Sequence, residues 1–210
     1  MREPKISCQV VGMLEGNCYL VKSSEDRIGV VIDPGDEADR LGDELEAAGL
    51  DPKAILLTHG HIDHTNAAAA LRERFKAAVV CHRLDAPMVR GEQGGSLFGL
   101  ARNPCEVDRE VAGGEVVEAG GLRFTVLHTP GHTRGSVCYA LDGVLFSGDT
   151  LFAGSIGRTD LPGGSDHDMY RSLHERIAQL DEGMVVYPGH GPSTTVGEEK
   201  RSNPFLQPEW

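Results

Sequence analysis

Short apolar runs alternate with segments of helical spacing along the whole chain. Residues 6–12 and 18–22 read as strands on either side of a Gly-Asn turn. Residues 28–33 read as a third strand, ended by Pro34 and Gly35. Helical spacing follows over 37–48, through Leu41, Leu45 and Ala48, with Gly49 as a stop signal. A strand is expected over 54–57, an alanine-rich helix over 66–75 and a further strand over 77–81. Residues 91–114, rich in glycine, proline and charge, read as a long irregular connection bordering the active site. Strands resume at 115–117, 122–128, 136–141 and 144–147. A helix over 168–180 aligns Tyr170, Leu173, Ile177 and Leu180 on one face, and 184–187 is a last core strand.

This order of elements suits an α/β protein, and no low-complexity linker divides it, so a single domain over 1–210 is the simplest reading. A faint repeat runs through it: strand, histidine-bearing loop, helix, once in each half. Glycine accounts for 27 of 210 residues, about twice ordinary usage, which favours turns and functional loops over long helices. The net charge of −12 repels phosphate backbones and argues against nucleic-acid binding. No apolar run approaches the roughly 20 residues that span a bilayer, and with no basic region followed by an apolar one among the first residues a secretory signal is not expected. The five cysteines are scattered and form no Cys-x-x-Cys pair. Cys81 and Cys138 fall in strand-like runs and read as buried free thiols, consistent with a reducing cytoplasm. No heptad or exposed apolar stripe distinguishes a monomer from a homodimer.

Against this background one segment concentrates chemistry. Leu57-Thr58-His59-Gly60-His61-Ile62-Asp63-His64 follows an apolar strand and packs three imidazoles and a carboxylate into six positions. Imidazole and carboxylate are ligands for first-row transition metals. Further candidates stand at three other strand ends: His132 after Pro130-Gly131, Asp149 after Ser147-Gly148, and His190 after Pro188-Gly189. Each has glycine beside it, which permits tight turns and close backbone approach. Seven nitrogen and oxygen donors are too many for one tetrahedral site and suit two open ones. His82, His128, His167 and His174 fit no such pattern; His128 is placed beneath the His132 loop, and the last two are expected at the surface.

The constellation, together with the turn Asp33-Pro34-Gly35, resembles the metallo-β-lactamase superfamily of hydrolases over nearly the whole chain. The resemblance implies a four-layer αββα sandwich with the metals at one edge of its two sheets. It assigns His59, His61 and His132 to one metal, Asp63, His64 and His190 to a second, and Asp149 to a bridge between them. Asp63 and Asp149 would then work with a metal-bound hydroxide as the nucleophile. Two divalent ions are implied. Zinc is the default, while iron, manganese or a mixed iron and zinc pair fit the same donors.

Two stretches narrow the resemblance. Residues 154–164 (Gly-Ser-Ile-Gly-Arg-Thr-Asp-Leu-Pro-Gly-Gly) and 191–205, which ends in Asn203-Pro204-Phe205, are similar to the short bacterial type of hydroxyacylglutathione hydrolase, or glyoxalase II. That implies cleavage of a thioester such as S-lactoylglutathione, with a small-molecule thioester or glutathione conjugate as partner. His61 stands where the flavo-diiron branch carries glutamate, which favours hydrolysis over redox chemistry. The C-terminal glutathione-binding helical domain of longer glyoxalase II enzymes is not expected here. Arg158 is a candidate for holding a substrate carboxylate; a salt bridge to Asp160 is its structural alternative. The Gly-Arg-Thr-Asp motif also resembles the persulfide dioxygenases, in which a single iron would be held by His59, His132 and Asp149. Hydrolysis of another ester, a lactone or a β-lactam, and a non-catalytic scaffold, are the remaining readings.

Overall fold

The computed structural model describes residues 4–23, 27–93 and 101–207. In chain order the strands and helices are β1 Lys5–Val11, β2 Gly16–Lys22, β3 Ile28–Ile32, α1 Ala38–Ala47, β4 Asp51–Leu56, α2 Ile62–Thr65, α3 Ala68–Phe75, β5 Ala78–His82 and α4 Ala86–Val89. There follow β6 Arg109–Val111, β7 Val116–Ala119, β8 Leu122–His128, β9 Val137–Leu141, β10 Val144–Gly148, α5 Asp166–Arg171, β11 Val185–Pro188, β12 Thr194–Thr195 and α6 Val196–Ser202. Among the described residues they make two six-stranded sheets, ordered β1-β2-β3-β4-β5-β6 and β12-β11-β10-β9-β8-β7. Each sheet thus runs in chain order from one edge to the other.

Near-continuous apolar runs explain why both faces of the central strands are covered. Val30, Ile32, Ala54, Leu56 and Val80 point between the sheets, where they meet Phe124, Val126, Tyr139 and Phe146. Their neighbours Val31, Ile55, Leu57, Val79 and Cys81 point the other way, under Leu41, Leu45 and Leu71 of α1 and α3. On the outer face of the second sheet, Cys138 and Leu145 lie beneath Met169, Leu173, Ile177 and Val196. The period-2 alternation of strands thus feeds three apolar layers and yields the expected αββα sandwich. No helix of the described residues is long and apolar enough to cross a membrane. All five cysteines are free; Cys8 is exposed and the others, Cys81 and Cys138 included, are buried.

Several expected elements shift. The helix expected over 66–75 is α3, beginning at Ala68, and a separate short helix before it, α2, carries Asp63 and His64 directly. The connection 91–114 contains β6, a three-residue strand parallel to β5; its residues 94–100 lie outside the described residues. The helix expected over 168–180 begins at Asp166, widens into a π turn over Ser172–Arg176 and tightens to a 3₁₀ turn over Ile177–Gln179. A π turn inserts about one extra residue and shifts the helical phase. Met169 therefore joins Leu173 and Ile177 in the core, while Tyr170, expected inside, is 37% exposed.

Candidate metal centre

Each candidate ligand hangs from the C-terminal end of a strand. His59, His61, Asp63 and His64 follow β4, His132 follows β8, Asp149 follows β10 and His190 follows β11. The two sheets are locked together at this rim. The Val137 amide donates to the Thr58 carbonyl at 2.8 Å, and the Tyr139 hydroxyl donates to the Leu57 carbonyl at 3.1 Å. From the first sheet, Asn17 Nδ2 donates to the carbonyls of Pro188 and Gly191, both at 2.9 Å, and the Tyr19 hydroxyl to Pro188 at 2.6 Å. Close approach demands glycine at two points. A β-carbon on Gly35 would fall inside the Asp63 carbonyl, and one on Gly189 inside the Asp149 carboxylate.

The structure brings all seven sequence-predicted donors to one place. His59, His61 and His132 offer nitrogens within 4.8 Å of one another, and Asp63, His64 and His190 form a second such group. Asp149 lies between them, 3.4 Å from His132 Nε2, 3.4 Å from His64 Nε2 and 3.7 Å from His190 Nε2. His61 Nδ1 approaches His132 Nε2 at 2.8 Å, and His64 Nε2 approaches His190 Nε2 at 3.3 Å.

The outward-facing ring nitrogens are occupied. His132 Nδ1 donates to the Arg158 carbonyl at 2.7 Å, His190 Nδ1 to the Glu15 carbonyl at 3.3 Å and His64 Nδ1 to Asp33 Oδ2 at 3.0 Å. Such partners fix the tautomer and leave Nε2 with a free lone pair facing inward. Three inward atoms are buried without a hydrogen bond: His59 Nε2, Asp63 Oδ1 and Asp149 Oδ1. Unsatisfied buried polar atoms are costly, and nitrogen and oxygen donors left in this way fit divalent metal.

Electrostatics point the same way. Burial opposes charge on His64, but Asp149, Asp63 and Asp33 outweigh it and push the imidazole up to about 10. Burial likewise opposes ionisation of Asp63, yet His64 and His190 hold its carboxyl well below the usual range. Burial takes His61 down to about 4, and burial together with the surrounding imidazoles lowers His59 as well. A cluster with two inward carboxylates favours cations.

Two carboxylates that the sequence did not single out as functional support the ligands. Asp33, 2% exposed, takes a positive φ of 50° and accepts from the Thr58 amide at 2.7 Å, the Thr58 hydroxyl at 2.5 Å and His64. With its oxygens so occupied it orients His64 rather than competing as a ligand. Asp85, 1% exposed, accepts from the Gly60 amide at 2.9 Å, the Thr133 hydroxyl at 2.7 Å and the Gly135 amide at 2.8 Å. It therefore ties the His59–His61 loop to the His132 loop.

The Arg158 guanidinium is exposed, pairs with Asp160 through two bonds of 2.7 Å and lines the space beside the ligands. The carbonyl of Arg158, not its side chain, supports the centre. A cavity of about 310 Å³ lies over the ligands, walled by Leu14, Phe152 and Leu161. Across the Gly157–Arg158 ridge runs a larger groove of about 750 Å³, which reaches Tyr170 and Phe205 and contains none of the seven donors.

The remaining histidines lie elsewhere. His167 is exposed, whereas His174, expected at the surface, is partly buried against the Phe205 carbonyl. His128 stacks on the buried His82 with ring centroids 4.3 Å apart. Its Nε2 donates to the Arg134 carbonyl, so it does brace the His132 loop. Burial, with His128 and Arg83 nearby, takes His82 down to about 4. Unfolded imidazole titrates near 6.5. Between those values the unfolded chain holds the extra proton, so this contribution to stability is complete above about pH 6.5 and is lost as pH falls toward 4. Thermal unfolding followed from about pH 7 to about pH 4.5 is expected to show a shallower decline for His82→Asn than for the wild type.

Residues 11–190 match the Metallo-beta-lactamase superfamily. An uncharacterized protein of Mycobacterium leprae is 42% identical, with 93% of this chain and 95% of that protein covered. The hydroxyacylglutathione hydrolase GloC of Haemophilus influenzae is 37% identical with the same coverage. Among solved structures, TTHA1623 in a di-iron-bound form superposes with a TM-score of 0.86 at 42% identity, covering 95% of this chain and all of that one. The B3 metallo-beta-lactamase BLEG-1 gives 0.86 at 38%, covering 97% of this chain and 100% of that one. ETHE1 from Myxococcus xanthus gives 0.81 at 33%, covering 95% and 83%. By sequence, by sheet order and by its clustered histidines and aspartates, this chain belongs to the Metallo-beta-lactamase superfamily.

Proposed function

We propose that the protein is a metal-dependent thioester hydrolase acting on small acyl thioesters, with S-lactoylglutathione the first to test. The observation that carries this reading is the convergence of seven nitrogen and oxygen donors, three with buried, unsatisfied inward atoms. His59, His61 and His132 would hold one divalent ion, Asp63, His64 and His190 a second, with Asp149 between. Zinc is the expected metal, with iron or an iron and zinc pair as the alternatives. When bound, such a pair lowers the pKa of a shared water and polarises a carbonyl. Asp63 Oδ1, buried and without a hydrogen-bond partner, would serve as a donor to the second ion. The cavity over the ligands receives the acyl group, and the groove beyond Gly157 leaves room for the thiol portion. A thiol leaves as thiolate with a pKa near 8.5, so no strong general acid is needed beside it. Similarity to GloC supports the thioester, and the five free cysteines suit a cytoplasmic setting.

A second reading, a persulfide dioxygenase with one iron on His59, His132 and Asp149, is favoured by the likeness to ETHE1. One experiment separates the two. Purified protein is analysed for metal and assayed in parallel on S-lactoylglutathione, glutathione persulfide, a lactone and a β-lactam. The hydrolase reading expects about two metals per chain and turnover of the thioester. One iron per chain with sulfite produced from the persulfide would overturn it.

A further inference from the structure

The C-terminal stretch 191–205 contributes His190's neighbours but no donor of its own, and it nonetheless contains two of the most buried polar side chains in the protein. Glu199 of α6 is 1% exposed and Asn203 is fully buried. A carboxylate so buried needs partners, and Glu199 has three. It accepts from the Gly154 amide at 2.8 Å, the Thr194 hydroxyl at 2.7 Å and Asn203 Nδ2 at 2.7 Å. Asn203 Nδ2 also donates to the Ser155 carbonyl at 3.0 Å and approaches that of Phe152 at 3.4 Å. Both residues thus grip one short loop, 152–155, three residues beyond Asp149. The loop is closed on itself by the Phe152 amide to Ser155 carbonyl bond at 3.0 Å and its 3.3 Å reciprocal, with Gly154 at a φ of 70°.

The gripped loop presents Phe152 to the metal centre. Its ring stands edge-on to His190 with centroids 6.0 Å apart, and it walls the small cavity opposite Leu14. A loop of this kind would ordinarily be free to swing; here three backbone groups are fixed from behind by buried polar side chains.

We propose that Glu199 and Asn203 are positioning residues that hold Phe152 as the wall limiting the size of the acyl group admitted over the ligands. The inference deepens the thioesterase reading and rests on it for its substrate, though not for its geometry. Phe152 acts by shape: it excludes bulky acyl groups, so its removal opens room without touching a donor. Glu199 and Asn203 act only through the loop. Gln at 199 can keep the arrangement, since its carbonyl oxygen accepts from Gly154 and Asn203 while its amide donates to Thr194. Ser at 203 can keep the cap on the Phe205 amide, which Asn203 Oδ1 now accepts at 3.0 Å, while losing the contacts of Nδ2.

The test compares wild type with F152A, E199A, E199Q and N203S, each checked for fold by circular dichroism and for metal content. Two readouts are taken. The first is kcat/KM for the acetyl and phenylacetyl thioesters of N-acetylcysteamine. The second is the affinity of the cobalt-substituted protein for acetate and for phenylacetate, read from its visible absorption, which needs no turnover. Wild type is expected to favour the small group in both. F152A should shrink that preference by about tenfold, the scale of a lost steric wall in an apolar pocket. E199A and N203S should follow it in part, and E199Q should restore the wild-type preference. If E199A does not fold, N203S decides the clamp. An unchanged preference in folded, metal-loaded F152A overturns the wall; a changed F152A with unchanged N203S and E199A overturns the clamp. Should wild type cleave neither thioester, the thioesterase reading fails while the carboxylate titration still decides the wall.

Discussion

Asp149→Ala is expected to lower hydrolysis by well over about 100-fold, the upper end of what losing a mere orienting partner costs. Asp149 reaches both groups, 3.4 Å from His132 and 3.4 Å from His64. Its loss should take metal content from about two per chain to one or fewer. Fold is expected to persist, because the carboxylate supports no backbone group: its Oδ1 is buried without a hydrogen bond. Metal analysis and thioesterase assay on the same sample decide the matter. Full activity at half the metal or less would end the dinuclear account.

The second large effect falls on Asp33, which carries no assigned chemistry. Asp33→Ala leaves the Thr58 amide, the Thr58 hydroxyl and His64 Nδ1 buried without their acceptor. Breaking one side of a buried charged arrangement costs about 3–5 kcal/mol. Metal affinity should drop by about 10–100-fold as well, since His64 loses the bond that fixes its tautomer. Asp33→Asn is expected to fall between the two proteins. Asparagine tolerates the positive φ of 50° found here, but its amide oxygen accepts more weakly than a carboxylate. Urea unfolding of the chelated proteins isolates the stability term, and competition with a chromophoric chelator measures the affinity term. Equal stability of alanine variant and wild type would remove Asp33 from this role.

Legibility in the sequence was uneven for physical reasons. Central strands such as β3, β4 and β10 announced themselves because both their faces are apolar. The seven donors were legible because each follows a strand, and His59, His61, His132, Asp149 and His190 sit beside glycine. β6 was not, since Arg109-Glu110-Val111 is three residues long and pairs on one side only. Asp85 gave no local sign: its partners at Gly60, Thr133 and Gly135 lie 25 to 50 positions away. α6 did carry a signal, Thr195 followed three residues on by Glu198, whose amide the Thr195 hydroxyl caps at 3.1 Å. The phase of the late helix was lost at its π turn, a local widening that a 3.6-residue period does not foresee.

The bonds from Asn17 and Tyr19 to Pro188 span 171 and 169 positions. During synthesis the ribosome releases β2 long before it releases the loop that β2 must hold. For that interval His59, His61, Asp63 and His64 stand without His132, Asp149 and His190. Contacts so distant along the chain form late and slowly, so the centre is completed only when the last strands dock.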